Sequence, residues 1–198
     1  MPVLGSYGAA SVRAWGRGRQ KSPMKTTGGA PGTVTPNARG YALAGFNVGN
    51  FAYLDAPKTA GKWYWEYEYT TLTGAQNHFT GITDNPAQPE SIGGYNTKNA
   101  GIEAITSALW RDILWTASAT PGFGTPSAPG DVLGFALNMD AATKRLDVYR
   151  NGVLDGFITW TAGAPTLQPI FGFINSPGGQ VVLGFTTYTP PVGYQYLY

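Results

Sequence analysis

The sequence predicts an all-β fold in which two antiparallel sheets form a sandwich, preceded in the sequence by an extended N-terminal arm. Glycine (28 residues) and proline (15) are abundant among the 198 residues, and aromatic residues reach 14% whereas charged residues reach only 12%. This composition favours short strands and many turns over helices. In addition, apolar and polar residues between 130 and 157 alternate with the period of two that is typical of a half-buried strand.

The run from 130 to 157 predicts an antiparallel meander of three strands. These strands are expected at 132–139, 144–150 and 153–159, with a polar turn at 140–143. The alternation in the first strand places four large apolar residues on the face that should join the core. They are Leu133, Phe135, Leu137 and Met139.

The second and third strands of the meander are separated by Asn151-Gly152. Both residues tolerate the positive φ angles of a type I′ turn, so this dipeptide is a strong hairpin signal. We therefore expect a two-residue turn, with Leu146 and Val148 buried and Asp147 exposed.

The remaining strands are predicted from shorter patterns on both sides of the meander. Two or three short strands are expected within 28–60, one long strand from Gly61, and others at 79–83, 100–105, 108–115, 169–174 and 180–187. In the long strand, one face carries Trp63, Trp65, Tyr67 and Tyr69 and the other Tyr64, Glu66 and Glu68. Trp63 and Trp65 are expected in the core. The stretch 116–129 is predicted as a loop, and its length makes it a candidate functional surface.

Taken in order, these blocks resemble the SPRY family. The resemblance rests on Gly130-Asp131 with two apolar residues before Gly134, on the hairpin ending in Asn151-Gly152, and on the strand Gly61-Lys62-Trp63-Tyr64-Trp65-Glu66. Shorter blocks at 81–82, 167–171, 182–185 and 190–194 follow the same order, although the asparagine of the family's last strand is missing. The resemblance covers residues 27–198. It implies a concanavalin A-like jelly roll, a two-sheet sandwich used for binding rather than catalysis.

Residues 1–26 are expected to form a basic arm in front of a SPRY-like domain at 27–198. Five basic residues lie in the first 25 positions, before the first acidic residue, Asp55. Residues 1–21 show neither strand nor helix periodicity and should become ordered only against a partner. Their pattern G-x-Y-G-A-A-S-x-R-A-x-G is similar to the openings of bacteriophage virion proteins. That similarity implies anchoring to other virion proteins through Tyr7, Arg13, Trp15, Arg17 and Arg19. A disordered terminus and weak phosphate binding are the alternatives.

Candidate binding residues lie in the turn-rich stretch between 84 and 129. Exposed aromatic rings beside amide and charged groups suit stacking on sugars or anchoring of a protein partner. The candidates are Asn85, Tyr95, Asn96, Trp110, Arg111, Asp112 and Trp115. Core packing of the two tryptophans is the alternative.

Residue types that support catalysis are scarce. His78 is the single histidine and cysteine is absent. A catalytic triad would therefore depend on this one residue, and a zinc site could use only one imidazole. Glu66 and Glu68 are two residues apart on one strand and form the best carboxylate pair, which leaves a jelly-roll glycoside hydrolase as a minor alternative. A calcium site at Asp84-Asn85 or at Asn96 with Asn99 is weaker, because such residues beside proline or glycine commonly form turns.

These observations predict a non-enzymatic virion protein with no cofactor and no metal. It would be an adhesin on a tail fibre, baseplate or head fibre that contacts a host-surface glycan or protein. The alternative is a structural or decoration subunit that binds only neighbouring virion proteins. The sequence contains no apolar run of 18 residues and no signal-peptide core. We therefore expect location in the virion, assembly as an oligomer there, no membrane insertion and no nucleic-acid partner.

Overall fold

In the computed structural model, the described residues are 21–27, 32–46, 50–71, 78–84, 99–103, 109–111, 117–119, 128–160, 166–173, 178–184 and 186–198. They form fifteen strands. The strands are β1 (Met24–Thr27), β2 (Thr33–Pro36), β3 (Gly40–Ala44), β4 (Asn50–Leu54), β5 (Lys62–Thr71), β6 (His78–Thr83), β7 (Asn99–Glu103), β8 (Leu109–Arg111), β9 (Ala117–Ala119), β10 (Val132–Asn138), β11 (Lys144–Arg150), β12 (Val153–Trp160), β13 (Gln168–Phe173), β14 (Gly178–Val182) and β15 (Gln195–Tyr196). Within these ranges, no helix is long and apolar enough to span a membrane.

The strands form two sheets, which confirms the predicted all-β, two-sheet antiparallel sandwich. The six-stranded sheet has the order β1-β4-β13-β6-β7-β8. The nine-stranded sheet has the order β2-β3-β14-β5-β10-β11-β12-β9, and β15 joins it by parallel pairing with the start of β5. All other pairings are antiparallel.

The main hydrophobic core takes several of its largest side chains from the alternating residues of β5 and β10. Trp65 stacks on Phe135 with ring centroids 5.4 Å apart, and Tyr67 stacks on Phe171 of the other sheet at 5.1 Å. The four predicted core residues of β10 and the following turn are at most 1% exposed. The core side of the alternation in these strands was therefore predicted from the sequence alone.

The predicted hairpin is confirmed. Asn151 and Gly152 have φ angles of 49° and 81°, both in the left-handed region that a type I′ turn needs. Leu146 and Val148 are fully buried. The expectation for Asp147 was wrong, because this side of the sheet is covered and Asp147 is only 8% exposed. Its carboxylate pairs with Arg145 at 2.6 Å.

The covering element is residues 186–198, which we call the C-terminal strap. Two main-chain N–H groups of the strap bind the Glu66 carboxylate, and the Tyr188 ring lies so close to Gly152 that a Cβ there would be 2.6 Å from it. Near the end of the strap, the Leu197 N–H donates to the Tyr64 carbonyl at 2.9 Å, and the Leu197 side chain is fully buried in the core. The nine-stranded sheet therefore has protein on both faces of β5.

Some strand boundaries differ from the prediction. The stretch 116–129 is not entirely loop, because β9 pairs with the end of β12. The strand expected over 180–187 ends at Val182, before Gly184 turns the chain with a φ angle of 76°. Residues 24–26, which the sequence analysis placed at the end of the arm, belong to β1 and pair with β4.

Candidate binding surface

The predicted binding residues lie at one edge of the six-stranded sheet or beyond the described part of the chain. Trp110 and Arg111 belong to β8, the last strand at that edge. The others, Asn85, Tyr95, Asn96, Asp112 and Trp115, lie outside the described residues, as do the arm residues Tyr7, Arg13, Trp15, Arg17 and Arg19.

Sheet topology places the described strand ends that flank these candidates in the sequence at one end of the sandwich. β6 ends at Thr83, directly opposite Asn99 at the start of β7, so segment 84–98 leaves and re-enters at that end. β8 ends at Arg111, opposite Ala100, so segment 112–116 departs from the same end. We call this the loop end. The strand ends that flank these two segments therefore lie on neighbouring strands at one end of the six-stranded sheet.

The loop end also includes the connection 55–61 between β4 and β5. Lys58 in this connection forms two main-chain hydrogen bonds with Leu167, at 2.8 and 2.9 Å. Gln168, the next residue, pairs with Thr83 at the end of β6. These bonds fix the Lys58 backbone beside the point where segment 84–98 begins.

Lys58 and Trp63 form the best-defined pair of side chains at the loop end. The Lys58 ammonium lies 3.8 Å from the centroid of the Trp63 ring, a cation–π distance. The indole N–H of Trp63 donates to the Ala60 carbonyl at 2.7 Å, which fixes the ring. Trp63 was expected in the core with Trp65. It only packs against the core and remains partly exposed, since it is the second residue of β5 at the rim of the sheet.

The Lys58 ammonium is partly buried, and no described carboxylate neutralises its charge. Burial lowers the pKa of its ammonium below the usual value, because the charged form loses hydration. No ion pair to Lys58 occurs in the described part of the chain, where the paired cations are Lys25, Arg39, Arg145 and Arg150. The sequence analysis missed Lys58, and no local pattern singles it out, since its partners are Trp63 and Leu167.

The candidate carboxylate pair has a structural role. Glu66 is fully buried and its carboxylate accepts three hydrogen bonds, from Tyr64 Oη at 3.1 Å, the Thr187 N–H at 2.5 Å and the Tyr188 N–H at 2.8 Å. Glu68 is partly exposed and pairs with Arg39 at 2.8 Å. Because both carboxylates are engaged with other protein groups, neither is presented to a ligand as a free acid or base.

The described residues give little support to a catalytic role of His78 or to a calcium site. His78 begins β6, where its backbone pairs opposite Phe173, and only its backbone is described. Of the residues considered for calcium, Asp84 follows β6 and Asn99 begins β7, whereas Asn96 is not described. Among the described residues, no cluster of three histidine, cysteine, aspartate or glutamate side chains is placed to hold a metal ion.

Comparison with known proteins places the sandwich among SPRY-like folds. No protein-family model and no curated protein sequence matches this chain. Among solved structures, a human SPRY domain is similar with a TM-score of 0.56 and 14% identity, over 81% of this chain and 97% of that domain. The SPRY domain of human HERC1 is similar with a TM-score of 0.55 and 15% identity, over 75% of this chain and 91% of that domain. At such identities the likeness shows the fold alone.

Proposed function

We propose that this chain is a non-catalytic binding module of a bacteriophage particle. It contacts its ligand at the loop end and is fastened to neighbouring virion proteins by its N-terminal arm. The observation that supports binding is the arrangement at the loop end of a SPRY-like sandwich. There, the strand ends that flank two candidate-bearing segments lie at the same end of the sandwich as a partly exposed tryptophan and a lysine that has no ion-pair partner among the described residues. The virion context rests on the similarity of residues 1–21 to the openings of virion proteins.

The absence of catalysis is supported by the internal use of the Glu66 and Glu68 carboxylates. A purified sample incubated with host polysaccharide is therefore expected to release no new reducing ends. Release that disappears in a Glu68→Gln variant would contradict the proposal and favour a glycoside hydrolase.

Binding to the host surface is tested with purified protein and candidate host cells. The adhesin proposal predicts saturable binding that is lost when the cell-wall polysaccharide or the protein receptor is removed. Trp110→Ala at the loop end should weaken binding. Val153→Ser is the matched control, because Val153 is 71% exposed on the hairpin at the opposite end of the sandwich. If no cell binds the protein while isolated virion subunits do, the chain is a structural or decoration subunit instead.

The arm is tested by deleting residues 1–20. Lys21 is retained, because its ammonium donates to the main-chain carbonyls of Asn37 and Gly40. We expect an unchanged melting temperature and loss of incorporation into the particle. Assembly of the truncated protein would show that the arm is not the anchor.

A further inference from the structure

We propose that Lys58 is the anion-recognition residue of the loop end and that its ligand is an acidic polysaccharide, whose sugar carboxylates pair with the ammonium. This inference rests on the proposed binding function and specifies the chemical class of the ligand.

The first argument is the rigid placement of the ammonium. The Lys58 main chain is held by two hydrogen bonds to Leu167, and the stem directs the ammonium to a point 3.8 Å from the Trp63 ring centroid. The ring is itself fixed by its hydrogen bond to Ala60. A lysine held in this way loses less conformational freedom on binding than a free surface lysine, so more of the interaction energy appears as affinity.

The second argument is the missing counter-charge. Burial has removed part of the hydration of this ammonium, and within the described ranges no carboxylate pairs with it. The Trp63 ring offers only a weak attraction. A carboxylate from a ligand would form the charge-assisted hydrogen bond that no described residue supplies.

The third argument concerns the class of ligand. Pro57, Thr59 and Ala60 are the exposed side chains next to Lys58. The large apolar side chains that are exposed among the described residues, Val153, Leu154 and Val192, belong to other segments. Protein partners are usually anchored by large apolar or aromatic side chains in pockets. The described rim around this cation consists of small side chains, one of them a hydroxyl, and part of the Trp63 indole ring, with no exposed large aliphatic side chain. Such a rim suits acidic sugars better than an acidic peptide.

The test is binding of polygalacturonate to the full chain, measured by calorimetry at low salt, with dextran as the neutral polysaccharide. Lys58→Met keeps the aliphatic stem and removes the charge, and it should weaken binding at least about tenfold, or about 1.4 kcal/mol. Lys58→Arg should retain most of the affinity. Lys62→Met is the matched control, since Lys62 lies one residue before Trp63, and it should bind like the wild type. Binding should shift the NMR signal of the Trp63 indole N–H and weaken as salt is added.

Equal binding by wild type and Lys58→Met, or no preference of the wild type for polygalacturonate over dextran, would overturn the inference. Equally tight, Lys58-dependent binding of poly-glutamate would replace the acidic polysaccharide by an acidic peptide. The host-cell assay separates this inference from the proposed function. If cells bind wild type and Lys58→Met alike, only the role of Lys58 fails, whereas if cells do not bind the wild type, the adhesin function itself fails.

Discussion

Glu66 lies in the middle of β5 on the face opposite Trp65 and Tyr67, and it is nevertheless fully buried. A buried carboxylate is tolerated only when donors replace its lost water. Here two consecutive N–H groups of the C-terminal strap and the Tyr64 hydroxyl do so. Gly134 makes room for this hydroxyl, since a Cβ at that position would lie 2.3 Å from it. Gly134 and Glu66, which both belong to the blocks that resemble the SPRY family, thus contact the same Tyr64 hydroxyl.

Replacement of Glu66 should therefore cost far more stability than replacement of its neighbour Glu68. Glu66→Ala leaves the buried Tyr64 hydroxyl and the Thr187 and Tyr188 N–H groups without this acceptor and should lower the free energy of unfolding by about 3 kcal/mol. Glu68→Ala breaks an exposed pair with Arg39 and should cost about 1 kcal/mol or less. Urea denaturation of both variants measures the difference. Equal losses would show that the strap does not depend on this carboxylate.

At the scale of elements, the β11–β12 hairpin is tied to the start of β10 by a polar network. Asp131 accepts hydrogen bonds from the Asn151 amide at 2.9 Å and the Ala128 N–H at 2.8 Å, and it faces Arg150 at 3.4 Å. Arg150 also binds Asp155 at 3.2 Å. Burial alone would raise the pKa of Asp131, but these hydrogen bonds and the guanidinium together lower it. The network explains why an aspartate follows Gly130 and why Arg150 precedes the turn.

The lowered pKa of Asp131 makes part of the hairpin's stability dependent on pH. Because the unfolded chain binds the proton more tightly, this contribution is complete above the ordinary aspartate pKa of about 4 and is lost as the pH falls through the lower folded value. The stability difference between wild type and Asp131→Asn should be constant near neutral pH and shrink below about pH 4. Chemical denaturation at a series of pH values measures it. A difference that grows on acidification would contradict the assigned direction.

The same elements show how far sequence analysis reached. Asn151-Gly152 and the alternation of Leu146 and Val148 are local signals, and both were predicted correctly. The burial of Asp147 and the role of Glu66 were not predictable, because they depend on the strap, which lacks periodicity and contacts β5 from about 120 positions away. Trp63 follows the alternation of its strand, but its position at the rim is a property of the assembled sheet. Lys58 was missed for the same reason.

At the scale of the whole molecule, the strap completes the nine-stranded sheet. Leu197 is fully buried in the main core and Val192, in the same segment, is fully exposed. Leu197→Ala should therefore lower the free energy of unfolding by about 2–5 kcal/mol. Val192→Ala, the matched control, should stay within about 0.5 kcal/mol of the wild type. Similar stabilities of the two variants, measured by thermal and urea denaturation, would show that the strap is not part of the cooperative fold.

A hydrogen bond from the Ser22 hydroxyl to the Tyr198 main-chain oxygen joins the first and last described segments of the chain. Tyr41 also donates to the Ser22 carbonyl, at 2.9 Å, so the first described residues and the last lie side by side. Such proximity permits circular permutation. A permutant that joins residue 198 to residue 21 through a short glycine-serine linker, with new ends between Val192 and Gly193, should retain the sandwich and melt close to the chain with residues 1–20 removed. The same geometry would allow residues 21–198 to be inserted into a surface loop of another protein, because residues 21 and 198 lie close together.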